Sequence, residues 1–176
     1  MSVKVCHVSS VHPRYDIRIF YKECISLVKA GYDVTLIVAD GKPDGVNNSV
    51  KIVSVPVVFK SRFKRILRSS KIMYKKAIEI DAEIYHLHDP ELLPLASKLK
   101  KAGKKVIFDS HEDYVAQIKI KDYIPYILRY LFSEVYKAYE TYVSKKIDAV
   151  IIPCTFSGGV DIFQNRTKIT EVISTT

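Results

Sequence analysis

From its first residues the chain alternates short β-branched runs with longer stretches whose apolar residues return every three or four positions, and this alternation decides the fold class. Strands are predicted at Val3–Val8, Asp33–Val38, Lys51–Val55, Glu83–Leu87, Lys105–Phe108 and Ala149–Ile152. Their near-continuous apolar character is that of strands buried on both faces. A helix is expected over Ile17–Lys29, capped by Asp16, apolar through Phe20, Cys24, Leu27 and Val28, and stopped at Gly31. The fourth strand runs into His88-Asp89-Pro90-Glu91, where Asp89 reads as a cap and Pro90 as a first-turn residue. That helix turns Leu92, Leu95, Ala96 and Leu99 inward and ends near Gly103. A long helical region covers about Tyr123–Lys145. Beyond Pro153 the pattern weakens to a Gly158-Gly159 turn and a last possible strand, Ile169–Ile173. Parallel crossovers are right-handed almost without exception. The chain is therefore expected to form a Rossmann-like, doubly wound α/β parallel sheet in the order 3-2-1-4-5-6, with helices on both faces.

At 176 residues and 20.1 kDa the chain has room for one domain, 1–176, with a core over about 1–153 and an end segment over 154–176. A hydrophobic share of 48% with 27% charged residues excludes disordered and low-complexity classes. No apolar run reaches the roughly 18 residues of a membrane span. The start MSVKVCHVSS lacks a secretory apolar region, so a cytoplasmic protein is expected. Cys6, Cys24 and Cys154 follow no metal-binding spacing and read as reduced, structural thiols.

The net charge of +9 is local. Between Asp44 and Glu79 there is no acidic residue but nine basic ones: Lys51, Lys60, Arg62, Lys64, Arg65, Arg68, Lys71, Lys75 and Lys76. Phe63, Ile66, Leu67, Met73, Ala77 and Ile78 recur among them at helical intervals, which makes this a basic amphipathic helix following the third strand. Three readings are open. The lysines can be simply solvated, or they can dock on an anionic membrane surface, where each is worth about 1 kcal/mol. A nucleic-acid surface is disfavoured, because only Phe59, Phe63 and Tyr74 are at hand to stack on bases.

In this topology ligands bind where the winding reverses, outside the carboxyl ends of the first and fourth strands. Three polar loops converge there: Ser9 to Asp16, the loop from His88, and Asp109-Ser110-His111-Glu112-Asp113. The first loop has no glycine, so no phosphate cradle of the dinucleotide or Walker kind is present and no cofactor is expected. The crevice instead offers His12, Arg14, Arg18, His88, Asp89, Glu91, His111 and Glu112, groups suited to hydrogen-bonding sugar hydroxyls and steadying developing charge. Asp109 to Asp113 can also be only a capped turn. His86 and His88 share a strand face beside Asp89, a weak metal pattern. With Asp89 read as a cap and no third ligand at a diagnostic spacing, no metal site is expected.

Three strings in order, Ser10-Val-His-Pro-Arg-Tyr-Asp-Ile-Arg-Ile-Phe-Tyr-Lys-Glu23, Tyr85-His-Leu-His-Asp-Pro-Glu-Leu-Leu-Pro94 and Phe108-Asp-Ser-His-Glu-Asp113, resemble the amino-terminal domain of bacterial family 4 glycosyltransferases. The resemblance covers almost the whole chain. It implies one half of a GT-B architecture, in which two Rossmann-like domains face each other across a cleft, and metal-independent sugar transfer with retention of configuration. The amino-terminal half mainly holds the acceptor. By the resemblance, His111 reaches the cleft beside the donor sugar, with Glu112 and Asp109 orienting it. His12, Arg14, Asp16 and Arg18 form a mobile lid, and His88, Asp89 and Glu91 shape the acceptor side. The absence of glycine from the first loop departs from the wider family. The family's nucleotide-sugar site lies in a second domain, and this sequence stops at Thr176 near where that domain would begin, so the chain alone is expected to be inactive.

Related enzymes often act on lipid-linked acceptors, which matches a peripheral place at the inner membrane face for the basic helix. Tyr123, Tyr126 and Tyr130, on a face turned away from Leu128, Leu131 and Val135, suit the lipid headgroup level or an interface with the second domain. The competing expectations are a non-catalytic module that recruits a partner to the membrane, or a split subunit, and behind these a metal-dependent hydrolase.

Overall fold

The alternating pattern becomes a single sheet. The computed structural model describes residues 2–56, 62–110, 113–153, 167 and 169–173. Its strands are β1 (Lys4–Ser9), β2 (Asp33–Val38), β3 (Gly45–Asn47), β4 (Val50–Ser54), β5 (Ile84–Leu87), β6 (Lys105–Asp109), β7 (Ala149–Pro153) and β8 (Thr170–Ile173). They lie in the order β3-β4-β2-β1-β5-β6-β7-β8. Every ladder is parallel except β3 with β4. Without β3 and β8 this is the expected 3-2-1-4-5-6 order, and β8 adds the last strand at the far edge.

The antiparallel β3 was not foreseen. It folds back through a two-residue turn at Asn48 and Ser49, both at positive φ (47° and 62°), so that Asn47 pairs with Val50. That mirror-type turn matches the twist of a hairpin.

The helices are α1 (Ile25–Lys29), preceded without a break by a π-helical stretch (Ile17–Cys24), then α2 (Arg62–Ile80), α3 (Leu93–Lys101) after a 3-10 turn (Pro90–Leu92), α4 (Tyr114–Lys119) and α5 (Tyr126–Ser144). Gly31 and Gly103, at φ 91° and 77°, end the helices they were expected to end. The long helix expected over about Tyr123–Lys145 is α5, and the short α4 before it was not foreseen. Pro125 supplies the start of α5, and Tyr123 lies in the turn between the two helices.

Strand alternation gives the sheet two unlike faces. On one, Cys6, Val8, Tyr85, Leu87, Val106, Phe108, Val150 and Ile152 pack against Met73 and Ala77 of α2, Leu95, Ala96 and Leu99 of α3, and Val143 of α5. On the other, Val34, Leu36, Val38, Val50 and Ile52 cover the β2–β4 side and pack against Ile19, Phe20 and Cys24. Burial pushes the Cys6 and Cys24 thiols far up, as inert core thiols require; Cys154 and the Gly158-Gly159 turn lie outside the described residues.

Two expected apolar faces differ. Ile78 is exposed, because at 100° per residue it sits about 140° around α2 from buried Met73, while partly buried Ile80 takes the stripe position. On α5 not only Tyr126 and Tyr130 but also Leu128, Leu131 and Val135 are exposed. The stripe that meets the domain is Ser133, Tyr136, Glu140, Val143 and Ser144, in which the Tyr136 hydroxyl donates to Glu140 at 3.0 Å.

Candidate functional site

The second sheet face changes character as it crosses β1. Where β2 and β4 present valine, leucine and isoleucine, β1, β5 and β6 present His7, His86 and Asp109, all buried. Parallel register sets His7 directly opposite His86, and the two-residue period brings His88 to the same side one step past the strand. Over this polar half lies the π-helical stretch.

Asp16 starts that stretch, its carboxylate accepting from the Arg18 and Ile19 amides at 2.9 Å. The Tyr21 amide then donates to the Asp16 carbonyl and the Ile25 amide to the Phe20 carbonyl, hydrogen bonds that span five residues. The wider turn aligns residues five apart, which in an α-helix would diverge. It places Arg18 over Glu23, with Nε donating to Oε1 at 3.1 Å. The Arg18 Nη2 also reaches both Asp109 oxygens at 2.6 Å. Helix and sheet are thus joined through one guanidinium and two carboxyl groups.

The other Glu23 oxygen, Oε2, points into the histidines. It lies 3.6 Å from His7 Nδ1, 3.7 Å from His86 Nδ1 and 3.7 Å from His88 Nε2. His7 Nδ1 and His88 Nε2 are 2.9 Å apart and share a hydrogen bond. Behind them, Asp109 Oδ2 is 3.6 Å from His88 Nδ1 and 3.9 Å from His86 Nε2. Burial pushes the Glu23 carboxyl up to about 8, aided by the neighbouring Asp109 charge and outweighing Arg18. Burial likewise pushes the His7 imidazole down to about 4 against the pull of Asp109, so both favour their neutral forms. His7, Glu23, His86 and His88 offer four ligand atoms within 4.8 Å of one another, a set that can hold a metal ion.

Above the cluster the loop after β1 meets the start of the 3-10 turn. Asp89 sits at the helix start, but its carboxylate does not cap it as expected. Oδ2 turns back to accept from the Ser9 hydroxyl at 2.9 Å and the Ser10 amide at 2.6 Å. Those donors belong to a loop that would otherwise leave buried polar groups unsatisfied. Glu91 accepts from the Ser10 hydroxyl at 3.1 Å. His12 lies between two carboxylates, with Nδ1 3.5 Å from Asp16 and Nε2 3.5 Å from Asp89. Arg14 leans the other way. It makes a two-pronged contact with Asp40 at 2.7 and 2.9 Å and donates to the Pro43 carbonyl at 2.9 Å, tying the loop to the end of β2 and holding Asp40 well below the usual carboxylate range.

The first two loops and the carboxyl end of β6 therefore gather at one edge. His12, Asp16, Arg18, His88, Asp89, Glu91 and Asp109 are linked through contacts at the carboxyl ends of β1, β5 and β6, and Arg14 anchors the same loop at its β2 side. His111 and Glu112 lie outside the described residues. Of the basic patch, Lys60 is outside them, and Arg62, Lys64, Arg65 and Arg68 fall in the part of α2 whose side chains are not described. Lys71 and Lys75 are exposed, and Lys76 pairs with Glu79 at 2.8 Å. Among the described residues no helix is long and apolar enough to cross a membrane. His7 and Glu23 were not singled out from the sequence. Pairing the first strand against the fourth would have found His7, but Glu23 needs the π turn.

The fold is shared with solved GT-B glycosyltransferases. Sucrose-phosphate synthase from Thermosynechococcus elongatus matches with a TM-score of 0.67 at 12% identity, over 98% of this chain and 47% of that one. A UGT transferase from Siraitia grosvenorii, in complex with UDP, gives 0.62 at 8% identity, over 99% and 51%. The α,α-trehalose 6-phosphate synthase from Burkholderia multivorans gives 0.57 at 12%, over 94% and 42%. This chain spans about half the length of each of these three proteins. No curated protein matches it. At such identities the likeness establishes the fold alone. The sequence itself carries the family, since the model for "Glycosyltransferase Family 4" matches residues 18–158, from the arginine that bridges Glu23 and Asp109 to beyond β7, and the chain belongs to that family.

Proposed function

We propose that this chain is the acceptor-binding amino-terminal domain of a retaining, metal-independent glycosyltransferase that moves a sugar from a nucleotide-sugar to a lipid-linked or surface-polysaccharide acceptor. The observation that carries the reading is the union of the first loop with the start of the 3-10 turn, through Ser9, Ser10 and His12 on Asp89. It builds a polar rim at the point of the sheet where ligands bind in this topology. His12, Asp89 and Glu91 are placed to meet acceptor hydroxyls. Asp16 and Arg18 hold the lid segment, and Arg14 sets its hinge on Asp40. His111 and Glu112 follow Ser110 in the sequence, and the role assigned to His111, by the family resemblance, is at the reacting centre.

The nucleotide part of the donor is assigned to a second domain, on the family resemblance; this chain spans 51% of the Siraitia grosvenorii UGT transferase solved in complex with UDP. Leaving-group charge needs preorganised donors on that side, so these residues alone are assigned negligible turnover. Exposed Lys71 and Lys75, together with the apolar outer face of α5, favour a peripheral position on an anionic membrane. No nucleic-acid partner is proposed.

The deciding experiment pairs the chain with a carboxyl-terminal donor domain of the family and assays transfer from a panel of nucleotide-sugars. Transfer by the pair, absent from the chain alone and reduced at least about 100-fold by His111→Ala, supports the reading. Unchanged turnover in that variant removes His111 from the mechanism, and a pair that folds but transfers nothing favours the non-catalytic module.

A further inference from the structure

The cluster of His7, Glu23, His86 and His88 has a geometry that the acceptor rim above it does not use. A tetrahedral zinc ion with bonds of about 2.05 Å sets its ligand atoms roughly 3.3 Å apart. Here Glu23 Oε2 stands at 3.6, 3.7 and 3.7 Å from three imidazole nitrogens, two of which are 2.9 Å from each other. No pair of the four ligand atoms is farther apart than 4.8 Å. Glu23 Oε2 is buried and has no hydrogen-bond partner among the described residues, while its sister oxygen is held by Arg18. The free oxygen is therefore aimed at the nitrogens by an anchored side chain. The ring nitrogens facing away from the cluster, on His86 and His88, look toward Asp109. A carboxylate behind a ligating histidine fixes its tautomer and raises its basicity.

We propose that these four residues form a structural zinc site. Three imidazoles and one carboxylate are a donor set that suits zinc, whereas calcium and magnesium need more oxygens. With four protein ligands and deep burial the site is closed, leaving no position for substrate, so it takes no part in sugar transfer and stands apart from the proposed activity. Bound zinc replaces the hydrogen bond between His7 and His88, whose proton shifts to the ring nitrogen facing away from the ion, and the Glu23 carboxyl ligates as the carboxylate, its proton passing to solvent. It cross-links β1, β5 and the π-helical stretch, holding the segment that carries the first loop onto the polar half of the sheet.

Zinc titration of the chelator-treated full chain, in competition with a chromophoric chelator, is expected to give one bound equivalent with Kd below about 1 µM. Cobalt in its place is expected to give the intense visible bands of a tetrahedral site. Glu23→Gln and His7→Asn each weaken zinc at least about 100-fold, Asp109→Asn about 10- to 100-fold, and His12→Ala leaves it unchanged. Absence of stoichiometric uptake overturns the proposal, as does equal weakening by His12→Ala. Should a ligand variant fail to fold by circular dichroism, the cobalt spectrum of the unaltered chain decides. Weak octahedral bands, or a sulfur-to-cobalt charge-transfer band placing the ion on a cysteine, overturn it.

Discussion

Strands β1, β5 and β6 send opposite chemistry to the two faces of one sheet. Cys6, Val8, Tyr85, Leu87, Val106 and Phe108 go to one side, and His7, Ser9, His86 and Asp109 go to the other. Both sets are buried, so the difference is one of task rather than of exposure. On the first face burial itself is the driving force, at roughly 25 cal/mol per Å² of apolar surface removed from water. On the second, every buried polar group costs free energy unless its neighbours repay it, and Arg18, Glu23 and Asp109 are arranged to do so. At these three strands the packing is supplied by one face, and the other is free to carry chemistry.

This contrast can be tested by substitution at adjacent residues. Phe108→Ala, on the apolar face, is expected to cost about 4 kcal/mol in urea unfolding, from lost burial and the cavity left beneath α3. A cost below about 2 kcal/mol would mean the packed face can collapse around the gap. Asp109→Ala, one residue on and on the other face, is expected to cost about 3 kcal/mol, because it leaves the Arg18 guanidinium without its closest carboxylate. A neutral or stabilising result would show that the polar half is held by something other than this ion pair. On the exposed side of α2, replacing Lys71 and Lys75 together by Glu is expected to change stability by less than about 0.5 kcal/mol while lowering retention on anionic vesicles. Equal retention on neutral and anionic vesicles by the unaltered chain would separate the basic helix from any membrane role.

Much of this was readable in advance because it depends on local pattern. Asp16, Gly31 and Gly103 mark helix ends through their own backbone chemistry, and the runs of Val and Ile mark strands wherever they lie. The convergence of the loops followed from topology. Other features depend on partners that local pattern does not reveal. Asp89 at the head of a helix reads as its cap, yet the buried amide of Ser10 competes for the same carboxylate and wins. Glu23 looks like a solvated helix residue at a spacing of 3.6 and turns inward only because the helix is widened there. On α5 the apolar residues outnumber the positions that face the domain, so periodicity could not tell which would be covered.

The β3 hairpin, three residues long and running against its neighbour, ends the sheet on the side of β2 and β4. A strand this short offers an approaching chain few backbone groups to pair with, and its antiparallel turn at Asn48 and Ser49 bends the margin away from a flat template. The consequence is colloidal: on that margin the protein is guarded against edge-to-edge aggregation by geometry rather than by charge.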